Sequence, residues 1–252
     1  MLAGTYLLYA VTMVLMHPRF IYPFGADVFD DPAFQQIAVS EQQVSLAVAE
    51  GDDPAAVLFF MGNGGALTYF TFTLDAHRTA GRTLAAMQYP GGGGIEGRPS
   101  EARLKADALA TYDWLSAQHD GPIVVHGFSL GTGLALHVAA RRPVAAVLLD
   151  APYVRLCRLM TKASYLPACL IPGVQKWQSA DDVPQVEAPV LIQHGTADQL
   201  IPMTEGQAMA GLMQDEGLTV TFLPIPDATH NNLAGQPGYN DRINGFLATH
   251  LP

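Results

Sequence analysis

The chain is patterned as short apolar runs separated by longer stretches with helical spacing. Residues 36–39 and 44–49 read as two antiparallel strands, the second alternating inward and outward positions. Residues 57–60 form a continuous apolar run, as a strand buried on both faces does. Strand character returns at 83–88, 123–125, 144–149, 190–193 and 219–223. Between these, helical spacing predicts helices at 67–80, from an N-cap at Ser100 to 118, directly behind residue 129, at 204–216 and at 239–250. Strands alternating with helices imply right-handed crossovers and a mostly parallel sheet with helices on both faces, an α/β fold. Residues 151–188 break the alternation with two helical pieces and scattered prolines, and read as a short lid insertion.

The first sixteen residues change this picture. They contain no charge, and His17-Pro18-Arg19 ends them. A membrane span normally needs about 18 to 20 apolar residues, so the stretch is short for one. It lacks the basic start and cleavage site of a secretory signal. Three readings are open: a short uncleaved anchor, an interfacial helix, or a helix docked on the domain's own surface. Tyr6, Tyr9, Phe20 and Tyr22 fit an interfacial belt and favour the anchor. The expected organisation is therefore a hydrophobic helix at 1–17 and one α/β domain at 18–252. An anchor would hold the protein at a membrane; without one the cytoplasm is expected.

Composition narrows the function. A net charge of −10 argues against nucleic-acid binding, which needs basic contacts to phosphate. The two cysteines, Cys157 and Cys169, lack metal-ligand spacing, would pair only in an oxidising compartment, and read as free buried thiols. Gly92, Gly94 and Gly97 formally match G-x-G-x-x-G, but no acidic residue ends a following strand about 20 residues on. A flexible loop on the rim of an active site accounts for them better. No metal or organic cofactor is implied.

The chemistry starts at Gly127-Phe128-Ser129-Leu130-Gly131, a G-x-S-x-G sequence between a predicted strand and a predicted helix. A serine on so tight a turn is lifted clear of the sheet at a helix N-terminus, and the flanking glycines avoid collision with crossing backbone. A serine hydroxyl needs a base, and the base an orienting acid. Asp198 and His230 fall in loops after the next strands, in the order serine, acid, histidine. Asp150, which ends the strand after the serine unit, is a second position from which an acid can reach the histidine. Asp227 reads as a turn residue, His126 and His194 as strand-end packing, and His137 as a helix-face residue. The oxyanion donors are expected to be the backbone N–H groups of Leu130 and of Asn63, in Met61-Gly62-Asn63-Gly64-Gly65.

With these residues in view, the chain from about 55 onward resembles the α/β-hydrolase superfamily, in the branch with serine aminopeptidase-like and protein-depalmitoylase-like members. FFMGNGG is similar to that branch's oxyanion loop, QYPGGGGIEGRPSE to its loop before a long helix, and GFSLGTG to its elbow. APVLIQHGTADQLIP and DATHNNL resemble its acid and histidine segments. A short hydrophobic N-terminal anchor also occurs there. The chain departs at Met61, where the family usually has a histidine that braces the oxyanion loop, and at Gly91–Gly94, where arginine and aromatic residues are commoner. The resemblance implies hydrolysis of a carboxylic ester or thioester through an acyl-enzyme, with a small-molecule or acyl substrate. A peptidase or amidase on the same fold is the alternative, and a free-amine-binding carboxylate such as Glu96, Glu101 or Asp107 would favour it. A catalytically inactive binding protein is the third.

Overall fold

A computed structural model describes residues 2–39 and 44–251, with the side chains of residues 2 and 3 outside the description. Eight strands, β1 (Gln35–Val39), β2 (Val44–Ala49), β3 (Ala56–Phe60), β4 (Thr83–Gln88), β5 (Ile123–Phe128), β6 (Ala146–Asp150), β7 (Val190–Gly195) and β8 (Val220–Ile225), form one sheet in the order β1-β2-β4-β3-β5-β6-β7-β8. β2 is antiparallel to both β1 and β4, and every pairing from β4 onward is parallel. The helices are α1 (Leu2–Ile21), α2 (Thr71–Arg78), α3 (Glu101–Gln118), α4 (Leu130–Ala139), α5 (Leu156–Ser164), α6 (Met203–Asp215) and α7 (Tyr239–His250). This is the α/β-hydrolase fold. The run Ala-Val-Leu-Phe-Phe of β3 is wholly buried, as its unbroken apolar pattern requires. Ser100 caps α3 by accepting the Arg103 N–H at 3.2 Å.

Some boundaries differ from the sequence reading for physical reasons. β5, β7 and β8 run two to three residues further toward their C-terminal ends than expected. The added positions include His126 and His194, polar residues that read as strand ends but are fully buried and hydrogen-bonded. The helix expected at 67–80 is a 3-10 turn, Leu67–Phe70, followed by α2; the Thr79 hydroxyl donates back to the Asp75 carbonyl, and Gly81, at φ 78°, turns the chain away. The insertion holds α5 and a 3-10 stretch, Ser179–Gln185.

The cysteine expectation is overturned. Cys157 on α5 is joined to Cys169 by a disulfide that closes a short loop of the insertion. Spacing alone carried no sign of it, since the loop between them brings the two together only by reversing at Ser164–Leu166. A cross-link over so short a loop stabilises the folded segment by about 3 kcal/mol in the chain-entropy account.

The membrane-spanning reading of the N-terminus is also corrected: among the described residues, no helix is long and apolar enough to cross a membrane. Met1, part of the expected stretch, lies outside the described residues. Within α1, Thr5, Thr12, His17, Pro18 and Arg19 dilute the apolar character. From Tyr9 onward it docks on the domain instead. Tyr9 donates to the Ser164 carbonyl at 2.8 Å, and His17 Nε2 accepts the Gln175 N–H at 3.1 Å. Just beyond, Trp177 Nε1–H donates to the Tyr22 hydroxyl at 3.0 Å. Leu7, Leu8, Val11 and Leu15 face outward and are exposed.

The chain after α1 crosses the glycine-rich loops. The Gly25 N–H bonds to the Gly64 carbonyl at 2.7 Å, and the Gly93 N–H to the Gly25 carbonyl at 2.8 Å. A Cβ on Gly65 would lie 2.3 Å from Phe24, and one on Gly94 2.8 Å from Val28. Gly92 and Gly94 thus serve close packing against this crossing segment, where the sequence suggested a flexible rim loop.

Candidate active site

The elbow is built by a strained serine and two crowding contacts. Ser129 takes φ 51°, a conformation costly for a residue with a Cβ, and its N–H is held by the Asp150 carbonyl at 2.8 Å. A Cβ on Gly127 would strike the Gly131 carbonyl oxygen at 2.4 Å, and one on Gly131 the Phe60 carbonyl oxygen at 2.0 Å. Both glycines of the motif are therefore required by backbone contact. Ser129 is followed at once by α4, so the Leu130 N–H is one of the helix's unpaired N-terminal donors.

Over this hydroxyl the loops after β7 and β8 place the other two residues. His230 Nε2 lies 3.0 Å from Ser129 Oγ, and its Nδ1–H donates to Asp198 Oδ2 at 2.7 Å. The other Asp198 oxygen accepts the N–H groups of Leu200 and Ile201, each at 2.9 Å. Burial would raise the Asp198 carboxyl, but the close approach of His194, the hydrogen bond and charge of His230 and the Ile201 N–H outweigh it and hold it well below the ordinary range. All three side chains are buried. Three residues far apart in sequence are thus brought within hydrogen-bonding reach of one another, in an order that lets the imidazole take a proton from the serine.

Asp150 does not join them. Its carboxylate accepts from His126 Nε2 at 3.1 Å, from Gln193 Nε2 at 3.2 Å and from the Tyr239 hydroxyl. His126 in turn meets His77 Nε2 through its Nδ1 at 2.8 Å, forming a sealed polar chain beneath the elbow. Asp227 sits in a turn at φ 57°, and His137 pairs with Asp182 on the surface of α4. Asn63 follows β3 in a loop that passes the elbow closely: a Cβ on the adjacent Gly62 would lie 3.4 Å from the Ser129 Cβ. Asn63 lines the cavities on both sides of the serine.

Several supporting residues escaped the sequence reading. Tyr89, fully buried at the end of β4, donates its hydroxyl to the Met61 carbonyl at 2.6 Å and braces the loop that holds Asn63. His194, four residues before Asp198, donates Nε2–H to the Ile201 carbonyl at 2.8 Å and lies 3.5 Å from the carboxylate; the His-Gly-x-x-Asp spacing was the available signal. The Phe128 ring packs on His230 with centroids 5.0 Å apart, fixing the imidazole's tilt. No sequence pattern distinguishes that phenylalanine from any other residue inside the elbow.

Two cavities flank the site. One of about 440 Å³ is lined by His230, Asn63 and aromatic side chains including Tyr69, Phe70 and Phe72. The other, of about 250 Å³, is lined by Ser129, Leu130 and apolar residues of α1 and the insertion. Among the described residues, no Asp, Glu, Lys or Arg lines either cavity. Glu101 instead accepts the Lys176 and Trp177 N–H groups, and Asp107 pairs with Arg103. Among the described residues no group of three or more His, Cys, Asp or Glu is placed to hold a metal ion.

The fold is that of the α/β hydrolases. Residues 94–243, more than half of the chain, match the dienelactone hydrolase family, and the protein belongs to that family. It is similar to the Caenorhabditis elegans alpha/beta hydrolase domain-containing protein aho-3, at 28% identity over 197 residues, 76% of this chain and 57% of that protein. It is similar also to the Xenopus tropicalis alpha/beta hydrolase domain-containing protein 17C, at 29% identity over 200 residues, 78% of this chain and 62% of that protein. The chain spans less than two thirds of the length of these curated relatives. Among solved structures, the Pyrococcus furiosus esterase Pf2001 shares the fold with a TM-score of 0.74 at 15% identity, over 89% of this chain and 95% of that one.

Proposed function

We propose that the protein is a serine hydrolase that cleaves a carboxylic ester or thioester through an acyl-enzyme. One observation carries this: His230 touches the Ser129 hydroxyl with one ring nitrogen and Asp198 with the other. His230 Nε2 takes the Ser129 proton as Oγ bonds to the substrate carbonyl carbon, and Asp198 holds the imidazolium so formed. The oxyanion lies against the N–H groups of Leu130 and Asn63, each such donor contributing about 3 to 4 kcal/mol to the transition state. As the carbonyl re-forms, the bond to the leaving oxygen or sulfur breaks and Nε2 returns the proton to it. Water then repeats the sequence on the acyl-enzyme, releasing the acid and restoring the serine. The uncharged lining that the described residues give both cavities favours a neutral ester over a substrate recognised by its free amine.

The exposed apolar stripe of Leu7, Leu8, Val11 and Leu15 supports a peripheral seat for α1 on a lipid surface, with the hydrolase domain as a unit behind it. The test of the function is hydrolysis of p-nitrophenyl butanoate by the purified protein beside Ser129→Ala. Turnover that disappears in the variant supports the reading, and turnover that survives contradicts it.

A further inference from the structure

Accepting Ser129 as the nucleophile, on which this inference rests, gives each cavity a side of the scissile bond. His230 must deliver a proton to the leaving atom, so the leaving group belongs in the cavity that His230 lines, and the acyl group in the one that Ser129 lines. Phe20 of α1 and Met160 and Ala163 of α5 line the acyl cavity, and the same three residues line a further cavity of about 240 Å³ between α1 and the insertion. We infer that the two are consecutive segments of one acyl channel, and that α1 and the disulfide-closed insertion select aliphatic acyl chains too long for the first segment.

The wall of the far segment fits an alkyl chain. Apart from His17 and Ser164 it is apolar, with Val14 and Met13 on one side and Ala168, Ile171 and Val174 on the other. Both polar residues are engaged inside the protein. His17 donates Nδ1–H to the Val14 carbonyl at 2.6 Å and accepts the Gln175 N–H on Nε2. Ser164 donates its hydroxyl to the Met160 carbonyl at 2.7 Å, and its own carbonyl is taken by Tyr9. Each segment alone falls below the roughly 300–1,000 Å³ of an ordinary ligand pocket, whereas the two in series reach that range. The Cys157–Cys169 disulfide lies in the same apolar cluster as Ala168 and Val174 and fixes the far wall against α5.

The experiment is a chain-length series of p-nitrophenyl butanoate, octanoate and dodecanoate, below their aggregation limits, on the full chain. Each methylene entering the far segment raises kcat/KM by up to about fourfold. The channel predicts at least a tenfold rise from octanoate to dodecanoate. Ile171→Trp, and Val14→Trp on the opposite wall, fill the far segment and bring the dodecanoate-to-octanoate ratio back to about one. A profile that falls beyond butanoate, or a ratio that neither variant moves, overturns the channel while butanoate turnover upholds the serine hydrolase. Loss of butanoate turnover in the unaltered protein overturns that function, and the channel with it.

Discussion

Two aspartate–histidine pairs lie side by side at the ends of neighbouring strands, and the histidine of one of them, His230, lines a cavity. Asp198 and His230 sit on loops beyond β7 and β8, with the imidazole's far nitrogen on Ser129 and open to the larger cavity. Asp150 and His126 sit within β6 and β5, and the far nitrogen of that imidazole is closed off by His77. A carboxylate bonded to an imidazole is therefore not by itself a base. Strand-internal placement makes it a buried brace, and placement on a loop at the carboxyl end of the sheet makes it available to a substrate. The two regions remain linked, because the Asp150 carbonyl holds the Ser129 N–H.

The sharpest way to break the comparison is to neutralise each carboxylate in turn. Asp198→Asn should lower kcat about 10⁴-fold by losing the correct tautomer of His230, with the fold intact. Asp150→Asn should leave the turnover of folded protein close to the parent's and instead lower unfolding stability by about 3 kcal/mol. Ester kinetics beside denaturant unfolding read both. An unimpaired Asp198→Asn with a crippled Asp150→Asn would reverse the two roles.

Much of this difference was visible along the chain, and what was not has a physical reason. Ser129, Asp198 and His230 were legible because each occupies a loop whose place follows from the order of strands and helices. Asp150 was left as a second option because strand order alone puts both acids near the histidine. The partners of Asp150 come from β5, β7 and α7, so only tertiary packing reveals that its oxygens are already taken. The disulfide was missed, and the docking of α1 stood only as one of three open readings, for the same reason. Neither Cys157 and Cys169 nor Tyr9 and His17 carry a local pattern, and their partners lie across the insertion.

A smaller effect sharpens the contrast at the loop opposite the histidine. Tyr89→Phe removes the bond to the Met61 carbonyl, worth about 1 kcal/mol, and should slow turnover by about fivefold if the whole loss reaches the transition state. Butanoate kcat at unchanged thermal stability would place the loss in the oxyanion loop. The smallest effect is a pH dependence of stability. Because the folded Asp198 carboxyl lies below its unfolded value, its contribution is fully present above about pH 4 and fades as pH falls through the folded value. The stability gap between the parent and Asp198→Asn should accordingly be constant from neutral pH down to about pH 5 and narrow below pH 4. Denaturant titrations at stepped pH would measure it.

The most direct measurement is the site of covalent capture. Treatment of the intact protein with a fluorophosphonate, followed by peptide mapping, should place a single phosphonyl adduct on Ser129 and none in His230→Ala. An adduct on another serine, or a folded protein that takes up none, would contradict the central claim.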